Sequence, residues 1–378
     1  MKRLITLLLL AASFAATAQN SAKYDHFKEL RDQTDTLGMK QMLDAWGAED
    51  EEYYAAWTNY CQVMAENTEE ESWASMAVNW AKMGRDAFPD SNLLLHKQAE
   101  SLFGANRFRE ALPVLLELEE KGLGEGYIWY ELNMIYGMKD DLDNARHYLE
   151  KMIAEGDEED RAYAEEVIAA LDEDQHIKDS LALHIDHAAI KAFAGTPEFQ
   201  QLVSRYEACD TTLTREDFAR IYYGSAYVKD YNSVSSQCDD IRQLAEEEKI
   251  DEAIAALQEK LKEYPVSLFI LLSLFNLTED EAALTEYAWK GQVLLATISL
   301  SGNGTKDRPY QVTSVNDEYN FLNQVYEATE LLEQALVDGP MDKMSILNSV
   351  GLDQDVYFYL APPYWERLDA LTQEKVNQ

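Results

Sequence analysis

The chain is 378 residues long, with 32 Lys and Arg against 70 Asp and Glu, a formal charge of −38 at neutral pH. Affinity for nucleic-acid phosphates or anionic membrane surfaces is built mainly from clustered Lys and Arg, so neither is an expected partner. Only 16 Gly and 8 Pro punctuate the sequence, which favours long helices over a sandwich or barrel, and an apolar share of 47% is too high for a disordered acidic chain.

In residues 1–18, Lys2 and Arg3 precede an apolar run from Leu4 to about Ala15, and Ala16-Thr17-Ala18 supplies a small-x-small cleavage site. This is the pattern of a cleavable secretory signal peptide, since the run falls short of the roughly 20 residues a bilayer core requires. No cysteine follows the cleavage point to take a lipid, so the expected product is soluble and periplasmic or extracellular. Cleavage removes two basic residues and no acidic one, which takes the charge from −38 to −40. The three cysteines, Cys61, Cys209 and Cys238, are too few for a disulfide framework and lack C-x-x-C spacing. A Cys209–Cys238 bridge stays open, with buried reduced thiols the expected state.

Past the signal, apolar residues recur at helical spacing to about residue 190. A first helix pair, roughly 51–65 and 70–87, carries Tyr53, Tyr54, Trp57, Tyr60, Trp73, Met76, Trp80 and Met83 and reads as a degenerate repeat or cap. The stretch 92–156 is more regular. Trp129, Leu132, Tyr136, Ala145 and Leu149 follow the spacing of a large residue, a Leu, a Tyr and a small Ala where two helices touch. Ala111 lies 34 residues before Ala145, and Leu95, Ala99, Leu102, Leu115 and Leu118 fill the equivalent positions around it. Both turn at a polar corner, Asn106-Arg107 and Asp140-Asp141. This stretch resembles tetratricopeptide repeats, in which each helix pair has an apolar face too large to cover alone and stacks on its neighbours. A third fragment at 239–272 places Leu244, Ala253, Leu257 and Pro265 in the same frame, with Lys249-Ile250-Asp251 as its corner.

The acidic runs 157–160 and 172–175 lack the alternating Asp or Asn and central Gly of a calcium loop and read as solvated helix corners. His176, His184 and His187 are the clustered histidines. The last two, three apart and beside Asp186, are expected to share a helix face, but H-E-x-x-H is absent and solvated or capping roles are expected. No serine sits in G-x-S-x-G and no cysteine has a nucleophile's local context, so no catalytic residue is assigned and no cofactor or metal is expected.

From about Thr196 the character changes. Asp210-Thr211-Thr212-Leu213-Thr214, Ile221-Tyr222-Tyr223-Gly224, Ser301-Gly302-Asn303-Gly304 and Val315-Asn316-Asp317-Glu318-Tyr319 together resemble a family of uncharacterised domains in secreted proteins of Gram-negative bacteria, over roughly 196–378. The resemblance implies an architecture and a secreted setting, without an activity to carry over, and Asn303 stands where Asp is more usual. Read locally, 310–315 and 356–360 are strands, 344–350 pairs between them, and 327–337 is ambiguous with strand preferred. The Gly-rich segment fails the phosphate-loop spacing and reads as a helix-to-strand turn. Asp317 is expected to cap a short helix, and Tyr222 and Tyr223 to be one core ring and one partly exposed ring at a helix end.

The expected fold is mainly α: a tetratricopeptide-like helical repeat array followed by an α+β domain with a small antiparallel sheet. Its divisions are a signal peptide at 1–18, the repeat domain at 19–195 and the family domain at 196–378. The expected function is a secreted or periplasmic, non-enzymatic scaffold whose helical groove binds a protein or peptide, basic or neutral given the acidity. Tyr127 and Tyr130 fall off the face that Trp129, Leu132 and Tyr136 commit to packing and are candidate partner contacts, together with Tyr222, Tyr223, Asp317 and Tyr319. The alternative is an enzyme of unrecognised class with its site near the Gly-rich turn and Asn316–Tyr319.

Overall fold

The computed structural model describes residues 22–376 apart from 48 and 69, so the expected signal peptide lies outside the described residues. The chain forms two compact units, the first running to Ala169 with Val350–Leu352 added, the second from Ala170 onward. The expected boundary at 195/196 lies inside the second. Among the described residues no helix is long and apolar enough to cross a membrane.

The first unit is helical: 22–32 (α1), Thr36–Asp44 (α2), Glu51–Thr68 (α3), Glu71–Ala87 (α4), Asn92–Gly104 (α5), Phe108–Glu120 (α6), Gly126–Met138 (α7), Leu142–Glu155 (α8) and the start of Glu158–Leu181 (α9). Two corners are built alike. Asn106 and Asp140 both take a left-handed φ of 56°. The next amide reaches back into the preceding helix, Arg107 N to Leu102 O at 2.9 Å and Asp141 N to Tyr136 O at 3.0 Å. This ending satisfies carbonyls a helix terminus leaves open, and Asn and Asp tolerate the left-handed region better than most side chains. Asp141 then caps α8 by accepting from Asn144 N. Inside the pairs Ala99, Ala111 and Ala145 are buried, as are Leu95, Leu102, Leu115, Leu118, Leu132 and Leu149, an arrangement compatible with the expected repeats. Tyr136 is only half-buried and stacks on Tyr148 at 5.6 Å. The early pair α3 and α4 packs through aromatics, with Trp57 stacked on Trp80 at 4.9 Å.

The second unit continues with His187–Phe193 (α10), Pro197–Glu207 (α11), Arg215–Val228 (α12), Val234–Gln237 (α13), Asp239–Glu246 (α14), Ile250–Glu263 (α15), Leu268–Leu277 (α16) and Glu281–Ser299 (α17). The corner between α14 and α15 repeats the earlier design, with Glu248 at φ 60° and Lys249 N bonded to Leu244 O at 2.9 Å. Then come Tyr310–Val312 (β1), Val315–Val325 (α18), Glu330–Val337 (β2), Met341–Leu347 (β3), Asp353–Leu360 (β4) and Pro362–Val376 (α19). The sheet has the order β1-β4-β3-β2. β3 is antiparallel to both neighbours, while β1 runs parallel to β4 with Tyr310 opposite Phe358. The sheet is therefore mixed where an antiparallel one was expected. The chain inserts α18 and a hairpin between β1 and β4, so β4 returns in the direction of β1. The hairpin turns through Asp338-Gly339-Pro340, with Asp338 and Gly339 at positive φ.

The core of this unit joins Tyr206, Tyr222, Tyr223, Leu271, Leu274, Ile298 and Phe321 from the helices to Met344, Val356 and Phe358 from the sheet. Gly224 sits inside α12 because a Cβ there would lie 2.6 Å from the Phe199 ring. All three cysteines are free thiols, with Cys61 and Cys238 buried.

Candidate functional site

Tyr127 and Tyr130, both on α7, meet side chains from the neighbouring helices of the first unit. The Tyr127 hydroxyl lies 2.5 Å from Nδ1 of His96 on α5. One turn along, Glu100 on α5 binds Lys97 at 2.5 Å, and Lys97 is itself buried. One turn beyond Tyr127, Glu131 is buried with its Oε2 lacking a hydrogen-bond partner. Burial and the charge of Glu100 push the Glu131 carboxyl up to about 8. Burial, then Glu100, Glu131 and Glu125, raises the Tyr127 phenol well above its ordinary value. Tyr130 is 36% exposed and meets the Tyr163 ring of α9 at 5.3 Å. Tyr24 of α1 donates no charge here; its phenol, bonded to Asn59 of α3, is pushed up to about 12 by burial, with Glu100 adding to the rise. The face thus combines tyrosine rings with more carboxylates than cations.

His96, Lys97, Glu100, Glu131 and Tyr163 escape sequence reasoning. The repeat register did not pair them, since 34 residues before Tyr127 and Glu131 lie Leu93 and Lys97 rather than His96 and Glu100.

The other candidates lie in the second unit. Tyr222 and Tyr223 are both fully buried in the middle of α12, so neither is the partly exposed ring at a helix end that was expected. Adjacent helical residues point some 100° apart, and here each direction meets protein. Tyr222 donates to Asp317 Oδ2 at 2.7 Å and accepts from Thr313 N at 3.2 Å. Tyr223 donates to the carbonyl of Gln311 at 3.0 Å. Asp317 is not the cap of α18. Ser314 is, accepting from Asp317 N at 3.2 Å, and the Asp317 carboxylate points inward to Tyr222 and to Thr313 Oγ1. Burial raises the Asp317 carboxyl while its hydrogen bonds from Tyr222, Ser314 and Thr313 pull it down. Tyr319 is 39% exposed and donates to Gln334 Oε1 at 2.6 Å. Gln334 in turn donates to Asp342 Oδ2.

Glu318, which lies beside Asp317 in the Asn316–Tyr319 stretch of the alternative reading, is completely buried with both carboxyl oxygens unpartnered. Burial, then Asp342 and Asp317, push it up to about 9, so it holds its proton at neutral pH. The Gly-rich turn is consumed by its own structure. A Cβ on Gly302 would strike the Pro309 carbonyl at 2.2 Å, Asn303 Oδ1 accepts from Thr305, and Ser301 Oγ accepts from Gln311 N. A cavity of about 80 Å³ nearby is lined by Asp230, Asn232, Thr313, Tyr364 and Arg367 among others, and neither Asp317 nor Glu318 lines it.

α10 begins only at His187, because Asp186 caps it through Ala188 N and Ala189 N, so His184 precedes the helix and shares no face with His187. His187 Nε2 lies 2.8 Å from Gln311 Oε1. Among the described residues no group of three or more His, Cys, Asp or Glu side chains is placed to hold a metal ion.

Residues 184–367 match the model of a family described as a domain of unknown function (DUF4919). No curated protein matches the chain. Among solved structures, that of the S. pombe nuclear import adaptor Nro1 is similar at 14% identity, over 75% of this chain and 92% of that one, with a TM-score of 0.20.

Proposed function

We propose that the protein is a non-enzymatic scaffold, secreted or periplasmic, whose first unit binds a protein or peptide segment on the face shared by α5, α7 and α9. The observation that carries this reading is the Tyr127–Tyr130–Tyr163 arrangement beside Glu100 and Glu131. Rings that are half-buried or exposed, on helices whose opposite sides hold the packing, offer contact area at small entropic cost. The segment at Ser301–Gly304 and Asn316–Tyr319 supports a structural part: its polar atoms join β1, α18 and α12.

The test is selection of a random dodecapeptide phage library on the purified chain. Enriched peptides should bind the wild type, and Tyr130→Ala should weaken them about tenfold, the loss of ~1.4 kcal/mol that an aromatic contact at an interface supplies. Selection that enriches nothing, or peptides indifferent to Tyr130→Ala and Tyr127→Ala alike, would sink the reading.

A further inference from the structure

The binding face contains one acceptor that the fold leaves unused. Glu131 is only 8% exposed, and its Oε2 has no hydrogen-bond partner. A buried acceptor without a donor costs roughly 1–3 kcal/mol, a cost that an incoming donor removes. Across from it stands Glu100, so two carboxyl groups from successive helix pairs face each other. Lys97 answers one of them, from the same helix as Glu100. The other titratable groups on the approach are His96 of α5, Tyr127 of α7, Glu125 just before α7, and Tyr24 of α1. None of these is a fixed cation. Hydrogen bonds between a cationic donor and a carboxylate are about twice as strong as neutral ones, and tyrosine faces attract cations as well.

Resting on the binding role proposed above, we infer that the partner segment inserts a Lys or Arg side chain between Glu100 and Glu131, with its aliphatic stem against Tyr127 and Tyr130. The cation supplies the donor that Glu131 lacks and offsets the second carboxylate. A neutral side chain does only the first, and an acidic one neither. Because Glu131 holds a proton up to about pH 8, binding of the cation expels that proton. Affinity therefore rises with pH, by up to about tenfold per unit below pH 8, and levels off above it.

The probes are the peptides enriched in the phage selection, made synthetically with each basic residue replaced in turn by Gln, and spermidine as a free polyamine. Expected are a basic residue at one shared position, a loss of at least tenfold when it becomes Gln, and a rise in affinity from pH 6.5 to 8. Glu131→Gln, an isosteric stand-in for the protonated acid, should fold as wild type by circular dichroism, abolish the pH slope and cut the Lys-over-Gln preference at least fivefold. Glu100→Gln should reduce that preference while leaving part of the slope. Peptides that need Tyr130 yet show no basic position, or a preference unchanged in both variants, overturn this inference and leave the scaffold reading standing. Peptides indifferent to Tyr130 overturn both. Spermidine that displaces the peptides at micromolar concentration and binds more tightly than any of them assigns the site to a free polyamine and overturns the partner side chain.

Discussion

Glu318 shows how a single side chain sets a pH dependence. Its carboxyl lies near 9 in the folded chain against an ordinary value of 4.5, so the unfolded chain releases a proton that the folded one keeps. The linked destabilisation is absent below pH 4.5, grows as pH rises from there toward 9, and is constant beyond. Glu318→Gln removes the titration. It should leave stability at pH 4 nearly unchanged and raise it at pH 8 by several kcal/mol, on the order of 1.4 kcal/mol for each pH unit above 4.5, measured as urea midpoints across pH. A variant less stable than wild type at pH 8 would show instead that Glu318 is charged and paired. Tyr222 and Tyr223 separate in the same way. Tyr222→Phe strips a donor from the buried Asp317 carboxylate and an acceptor from Thr313 N, a loss of about 2–4 kcal/mol, whereas Tyr223→Phe frees one backbone carbonyl and costs about 1 kcal/mol. Equal urea midpoints for the two variants would contradict this ordering. None of it was legible in sequence: Asp317 follows Ser314 by three residues, and either can be named a cap until the direction of the carboxylate is seen.

At the scale of elements, the three like corners separate what sequence can tell from what it cannot. Asn106, Asp140 and Glu248 take the same left-handed backbone and the same returning amide bond, yet only the first two are residues that accept it readily. Glu248→Gly should therefore stabilise the second unit by about 0.5–1 kcal/mol, read as a higher thermal midpoint; a lower midpoint would mean that the Glu248 side chain is held by contacts worth more than its strain. The helix pairs were legible because small and large residues recur every 34 positions and the corner residues are polar. Strands β1 and β4 announced themselves by their β-branched and aromatic residues, whereas β3, with Ile346 as its one such residue, was expected three residues late, at 344–350. β2 was ambiguous for a physical reason: it is exposed over most of its length and so lacks the alternation that burial of one face imposes. The parallel pairing of β1 with β4 was out of reach, since it depends on where the intervening helix and hairpin lead the chain rather than on any local pattern.

For the molecule as a whole, a charge of −38 spread over helical surfaces sets a repulsion that folding concentrates. Adding NaCl from 20 to 500 mM shortens the range of that repulsion to a few ångströms. The thermal midpoint should rise by about 2–4 °C, the equivalent of ~1 kcal/mol for units of this size; a midpoint that falls with salt would mean that the surface ion pairs outweigh the excess of like charge. The proposed binding face was half legible on this scale. Tyr127 and Tyr130 could be named because they lie off the packing stripe of α7, while His96, Glu100 and Glu131 became a site only when two helices distant in sequence were set side by side.

The outermost strand has a further consequence. Among the described residues β2 pairs on one side only, with β3, and it carries exposed Leu331, Leu332 and Leu336. Such a strand is a template on which a second chain can add itself. Glu330 and Glu333 sit among those leucines, and the register shifts between Leu331 and Glu333. Two copies meeting edge to edge would set glutamate against glutamate across an irregular ladder, so the acids that keep the strand from resembling a strand in sequence also keep one molecule from growing onto the next.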